Sequence, residues 1–277
     1  MPSSTGAQTA ILEAHDIRLG YHRPDGSLHT VLQEFSLNLQ AGEVIAILGP
    51  SGVGKSSLLR VLAGLQQAQH GSVRLKGEPL NGPHPRSSFV FQDPSLLPWL
   101  TLEENVAFGL DFKHQPDIGK AEKQQRVQEA IEEVGLQGAN SRYPAELSGG
   151  MAQRTALARS LARHPEILLL DEPFSALDEI TRGDMQMLLQ SIIARHGTAA
   201  ILVTHDIDEA MILADRIVLI GDSPGRSIGE WTLNDSHPRD PLAPSLSRLR
   251  VEIMSLLRDH RRGSLRPFLT PQTADAA

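Results

Sequence analysis

Two stretches carry residue types whose spacing could do chemistry. The first is Gly49-Pro50-Ser51-Gly52-Val53-Gly54-Lys55-Ser56, a G-x-x-x-x-G-K-[ST] pattern preceded by an apolar run and followed by a helical one. Glycines there let the backbone turn tightly, so that successive N–H groups point at phosphate oxygens. The N-terminus of the following helix adds the positive end of its dipole. Lys55 is placed to reach the outer phosphates, and Ser56 to ligate Mg²⁺. The second is Ile167-Leu-Leu-Leu-Asp171-Glu172, an apolar strand that ends in two acids. Along an extended chain adjacent side chains point opposite ways. Asp171 can therefore hold Mg²⁺ while Glu172 faces the γ-phosphate and orients or deprotonates an attacking water. Together the two stretches imply a nucleoside triphosphate and its hydrolysis.

These residues need a framework. Short apolar runs at Glu43–Leu48, Ser72–Leu75, Ser88–Phe91, Ile167–Leu170, Ala200–Val203 and Ile217–Ile220 read as strands. Helical patterns cover Lys55–Ala63, Ala121–Val134, Met151–Arg163, Arg182–Arg195 and Ile207–Ala214. Alternation of this kind predicts an α/β fold whose parallel strands are joined by crossover helices. Thr101 and Glu104 have capping-box spacing, and Asp206 caps a helix that starts just after His205. Residues 94–165 lack a clear strand and read as a helical insertion. After Pro224, Pro238, Pro241 and Pro244, apolar residues recur at Leu246, Leu249, Ile253, Leu256 and Leu257, one face of a C-terminal helix. Thr270–Ala277 reads as disordered.

Composition narrows the class. The formal net charge of -7 argues against a nucleic-acid partner, and the absence of cysteine excludes disulfides and thiolate metal sites and fits a reducing cytoplasm. No apolar run approaches the roughly 18 residues of a membrane-spanning helix. Met1–Thr9 has no signal-peptide character.

One further motif is diagnostic. Leu147-Ser148-Gly149-Gly150-Met151, followed by Gln153 and Arg154, resembles the signature of the ATP-binding cassette (ABC) family. The family's other landmarks follow in order. Gln92 resembles the Q-loop glutamine, Ser175-Ala-Leu-Asp178 the D-loop, His205 the switch histidine, and Tyr21 the aromatic that stacks on adenine. The resemblance spans about Ala10–Ile220. It departs from the commonest pattern at Ala152, where many members carry a long polar side chain, and in the long segment Arg23–Thr30 after Tyr21.

The resemblance implies a P-loop NTPase (RecA-like) core with an antiparallel β region and an inserted α-helical subdomain at about 94–165. The ATPase domain would occupy 10–240, and the C-terminal helix and tail 241–277. It implies ATP and Mg²⁺ as ligands. Gly49 to Ser57, Tyr21, Ser148, Gly149, Gly150 and Asp178 would bind nucleotide. Ser56, Gln92 and Asp171 would serve the metal, and Glu172, His205, Gln92 and Lys55 the catalysis. With one phosphate loop and one signature per chain, two copies would sandwich two ATP molecules head to tail, Ser148–Gly150 of each closing on the other's γ-phosphate.

Other nucleotide-binding classes fit less well. The Asn-Lys-x-Asp of guanine-specific relatives is absent, and Lys55 and Ser148 are only 93 positions apart, too few for the coiled coil of DNA-repair cassettes. Translation relatives carry two cassettes, and non-catalytic ones lose the equivalents of Lys55 or Glu172. The alternative that stays open is a soluble ABC ATPase not tied to a transporter. Phe91-Gln-Asp-Pro-Ser-Leu-Leu-Pro-Trp-Leu-Thr101, with Glu103–Gly109 and the Ser223-Pro-Gly-Arg226 turn, resembles the nitrate/sulfonate/taurine importer group. This implies a peripheral subunit on the cytoplasmic face of the inner membrane, bound to a separate permease and served by a periplasmic solute-binding protein. The solute would be small and anionic. The Pro-rich segment between Gln92 and Thr101 should be a surface loop whose Leu96, Leu97, Trp99 and Leu100 receive the permease.

Overall fold

The computed structural model describes residues 10–240 and 243–265. Met1–Thr9 and the Thr270–Ala277 tail lie outside the described residues.

The centre is a six-stranded sheet. Its strands are β3 (Val44–Leu48), β6 (Ser87–Val90), β7 (Ile167–Asp171), β8 (Ala199–Thr204), β9 (Arg216–Gly221) and β10 (Arg226–Thr232), in the order β10-β9-β3-β8-β7-β6. All pairings are parallel except β10 with β9. Every residue of β3, β7 and β8 is buried, as expected of parallel strands covered on both faces. Their side chains alternate between two cores. Ala46, Leu48, Leu168, Leu170 and Leu202 join the core shared with the helices. Ile45, Ile47, Leu169 and Ile201 join a second core under the other sheet.

That other sheet is antiparallel, in the order β2-β1-β4-β5, with β1 Leu12–His22, β2 Leu28–Leu39, β4 His70–Leu75 and β5 Glu78–Pro79. Sequence periodicity found only part of β4 here. In β1 the pairing shifts register between Ala14 and Ile17 and again between Ile17 and Gly20, and Asp16 has φ 48°. Glu34 in β2 has φ 52°. Bulges insert extra residues, and the apolar alternation loses its period of two. The two sheets join where Gln33 N–H donates to the Gly225 carbonyl (2.9 Å) and Gly225 N–H to the Val31 carbonyl (2.8 Å).

Between β6 and β7 the chain is helical, with α2 (Leu102–Ala107), α3 (Lys120–Glu133), a 3₁₀ turn at Pro144–Glu146, and α4 (Gly149–Leu161). Thr101 caps α2 with the expected box: its Oγ1 accepts from Glu104 N–H, and Glu104 Oε2 accepts from Thr101 N–H (2.8 Å). The loop before α2 is held from inside by Asn105. This side chain is wholly buried, accepts from Leu97 N–H (2.8 Å) and donates to the carbonyls of Leu97 and Leu100. The start of α4 corrects the expected helix boundary near Met151. Ser148 Oγ accepts from Met151 N–H, so the helix opens two residues earlier and Gly149 and Gly150 form its first turn.

The remaining helices are α1 (Lys55–Leu62), α5 (Glu179–His196), α6 (Ile207–Leu213) and α7 (Pro244–Leu265). Asp178 caps α5 and Asp206 caps α6. The apolar face foreseen for the last helix exists in α7. Leu246 and Ile253 are buried, Leu249, Leu256 and Leu257 pack beside them, and Trp231 Nε1 donates to Glu252 Oε1 (2.9 Å). The helix is thus part of the main core. Ile253→Ala should cost about 2–5 kcal/mol through lost burial and the cavity left behind. Urea unfolding measures this, and a loss below about 0.5 kcal/mol would mean that α7 is dispensable to the core.

Candidate functional site

Parallel strands present their C-terminal ends on one edge, where the following loops converge. Here β3 leads into the loop Gly49–Gly54, β6 to Gln92, β7 to Asp171 and Glu172, and β8 to His205. With β3, β8, β7 and β6 adjacent, the candidate residues gather because of sheet order.

The loop after β3 depends on absent side chains. A Cβ on Gly49 would sit 2.4 Å from the Ile220 carbonyl oxygen, and one on Gly54 2.8 Å from Val31 Cγ1. Gly52 and Gly54 also have φ of 84° and 99°. The Ser223–Arg226 turn presses on the same loop, since a Cβ on Gly225 would lie 2.5 Å from the Val53 carbonyl. Gly54 is the N-cap of α1 and supplies no side-chain cap, and the first turn contains no acid. The free N–H groups there suit an anion.

Lys55 is 4% exposed. Its Nζ donates to the carbonyls of Gly49 (2.8 Å) and Pro50 (3.0 Å) and lies 3.9 Å from Glu172 Oε1. Burial lowers the Lys55 pKa, while Glu172 and Asp171 oppose the shift by favouring the ammonium. Ser56 Oγ donates to Asp171 Oδ1 (2.8 Å). Burial raises the Asp171 pKa, and this hydrogen bond works against it.

Glu172 follows β7 with φ 44°, a left-handed conformation that a non-glycine residue adopts only when its surroundings enforce it. Its N–H donates to the Val203 carbonyl (2.9 Å), which fixes that turn. Its carboxylate then lies between Lys55 and His205, with His205 Nδ1 3.1 Å from Oε2. Gln92 Nε2 donates to Ser175 Oγ (3.2 Å), and Ser175 Oγ donates to the Glu172 carbonyl (3.0 Å). Ser175 thereby joins Gln92 to the paired acids, a bridge that the motif alone did not reveal.

Tyr21, at the far end of β1, is brought to α1: its hydroxyl lies 2.7 Å from Ser57 Oγ, and Gln66 Nε2 donates to it (3.4 Å). Tyr21 is 45% exposed and so is accessible to a ligand. Asp178 accepts from Thr181 N–H (3.0 Å) and Thr181 Oγ1 (2.7 Å), and these bonds lower its pKa. Its carboxylate caps α5 and makes no contact with the Lys55–Glu172 group among the described hydrogen bonds and ion pairs. Ser148, Gly149 and Gly150 open α4, and their close neighbours are Met151 and Thr181.

A family model described as ABC transporter matches residues 32–175. The aliphatic sulfonates import ATP-binding protein SsuB 2 of Burkholderia lata is 45% identical over 250 residues, which cover 89% of each chain. The nitrate import ATP-binding protein NrtC of Synechococcus elongatus is 43% identical over 86% of this chain and 37% of its own length. Among solved structures, the dimeric form of a bacterial ABC transporter cassette is 31% identical, with a TM-score of 0.72 over 81% of this chain and 100% of that one. With a phosphate loop, paired acids and a signature turn on this framework, the chain belongs to the ABC transporter family and is one of its ATP-hydrolysing cassettes.

Proposed function

We propose that this cassette energises uptake of a small anionic solute, of the sulfonate or nitrate kind, through a separate permease. The observation that supports the catalytic half is the chain of contacts Ser56–Asp171 and Lys55–Glu172–His205 at one sheet edge. The solute class is taken from the sulfonate and nitrate import proteins that the chain resembles at 42–47% identity. Cells lacking the chain should lose uptake of labelled alkanesulfonate or nitrate and regain it on complementation. Uptake of both at the parental rate in the deletion would reject this solute class.

The residues fit ATP with Mg²⁺. In the loop Gly49–Gly54, Gly49 and Gly54 have no room for a side chain, and Gly52 and Gly54 hold left-handed backbone that glycine adopts freely. Ser56 and Asp171 offer a hydroxyl and a carboxylate, hard oxygen donors of the kind Mg²⁺ prefers, few enough to leave places for phosphate and water. Bound there, the metal would neutralise charge on the phosphates. Lys55 does the same from the other side, with its ammonium preorganised by the carbonyls of Gly49 and Pro50. Glu172 takes the proton of the attacking water and His205 holds the Glu172 carboxylate. Gln92 reports the state of the centre to the loop it begins. Tyr21 stacks on the base.

Ser148, Gly149 and Gly150 close on the nucleotide of a second copy, and Asp178 lies at the same junction, so the working form is a head-to-tail dimer. Glu172→Gln keeps the shape but cannot act as a base. Turnover should fall at least about a hundredfold while ATP still binds, and the variant should accumulate as dimer in saturating ATP. Normal phosphate release by Glu172→Gln, measured in a single-turnover assay, would remove Glu172 from the proposed role.

The coupling surface is the Pro-rich loop after Gln92. Trp99 is 69% exposed there, while Leu96, Leu97 and Leu100 are partly buried. Exposed Phe108 and Phe112 stack edge to face nearby in the chain, their centroids 5.2 Å apart. An exposed tryptophan on a loop pinned by Asn105 is a rigid anchor for a partner, and the permease is that partner in this reading. Isolated Trp99→Ala protein should keep its ATPase rate within about twofold, while permease co-purification and uptake fall at least about tenfold. Wild-type uptake and co-purification together would place the permease contact elsewhere.

A further inference from the structure

A second polar group lies behind the Lys55–Glu172–His205 contacts. Glu209, in the first turn of α6, is 5% exposed, and its Oε1 has no hydrogen-bond partner among the described residues. Its surroundings are defined by two loops. Asp206 Oδ1 accepts from the N–H groups of Asp208 (2.8 Å) and Glu209 (3.1 Å), and buried Thr204 accepts from Asp206 N–H through its Oγ1 (3.0 Å). Both neighbours of His205 in the chain are therefore held by this turn. From α5, Arg182 Nη2 donates to the Leu177 carbonyl (3.2 Å), next to Asp178, and Nη1 lies 3.8 Å from Asp206 Oδ2. One guanidinium thus spans the loop that precedes α5 and the turn that carries His205.

We propose that Arg182 and Glu209 are positioning residues for ATP hydrolysis: Arg182 ties the Leu177–Asp178 loop to the Asp206 cap, and Glu209 beneath that cap keeps His205 directed at Glu172. The proposal rests on the catalytic reading of Glu172 and His205.

Charge gives this arrangement its pH dependence. Burial, with Asp206 and Glu172 adding repulsion, raises the Glu209 pKa from 4.5 to about 8 against the opposing influence of Thr204 and Arg182. The groups facing it are Asp206 on its own helix, Arg182 on α5, Glu172 after β7, and Thr204 on β8. Asp208, also on α6, pairs outward with Arg250 of α7 (2.8 Å). Below about pH 8 Glu209 is mainly the uncharged acid and leaves Arg182 to Glu179 (3.3 Å) and Asp206 (3.8 Å). Once ionised it competes for Arg182 and repels Asp206, and the His205 turn loosens. The folded pKa lies above the unfolded value, so the unfolded chain gives up the proton first. The contribution of Glu209 to stability therefore falls as pH rises from about 4.5 to about 8 and then levels off.

Two variants test the proposal. Glu209→Gln mimics the neutral acid. Steady-state ATPase profiles should show a fall in wild-type kcat centred near pH 8 that is weakened at least about threefold in Glu209→Gln. The melting temperature of the variant relative to wild type should climb between pH 5 and pH 8.5. Coincident alkaline limbs, or a constant melting difference across that range, would overturn the role of Glu209. Arg182→Ala should lower kcat at least about tenfold with the KM for ATP changed less than twofold, and Arg182→Lys should restore part of it. A kcat of Arg182→Ala within twofold of wild type would overturn the role of Arg182. Failure of the underlying catalytic reading is separable, because Glu172→Gln would then retain turnover whatever these variants do.

Discussion

A buried ammonium sets the terms for this structure. Lys55 is 4% exposed, and a cation so far from water must be surrounded by oxygen. Its partners are the carbonyls of Gly49 and Pro50, with Glu172 at 3.9 Å. To supply them, the loop after β3 has to fold back over the start of α1. That is possible only because Gly49 lies against the Ile220 carbonyl and Gly54 beside Val31. The glycines of the loop and the placing of Glu172 after β7, two strands along from β3, both serve to accommodate this charge. In the proposed function, phosphate oxygens are the ligand that this arrangement accepts.

Much of this was legible in the sequence because it rests on local rules. Parallel strands buried on both faces read as continuous apolar runs, and β3, β7 and β8 were recognisable for that reason. Helix caps are equally local: Thr101, Asp206 and the apolar face of α7 stand as their spacing implied. Charged and bulged β1 and β2 were not legible, because their burial depends on pairing between strands rather than on alternation within one. The linking side chains were also hidden. Ser175 stood in a recognised motif, but its bond from Gln92 and the ion pair of Arg182 with Asp206 join segments that only the fold brings together, and the amide of Asn105 turns inward to bond the loop just before its own helix. Asn105 is a clear case, since an amide on a short helix ordinarily reads as solvent-facing, yet it is wholly buried.

In the proposed dimer, direct contacts would link the two nucleotide sites in which one subunit takes part. A Cβ on Gly150 would come within 2.7 Å of Thr181 Cγ2, so the signature turn rests on the first turn of α5. Thr181 is the residue that Asp178 caps, and the next residue, Arg182, reaches the Asp206 cap beside His205. The signature turn, the loop before α5 and the His205 turn are thus joined by direct contacts over a few residues. In a head-to-tail dimer Ser148–Gly150 would serve the partner's nucleotide, whereas Glu172 and His205 would serve the chain's own. A shift of α4 when its signature closes on the partner's phosphate would press on Thr181 and be felt at His205. The absence of a side chain at Gly150 is what allows that contact to be so close: a Cβ there would meet the Thr181 methyl at 2.7 Å, and α4 or Thr181 would have to shift to admit it.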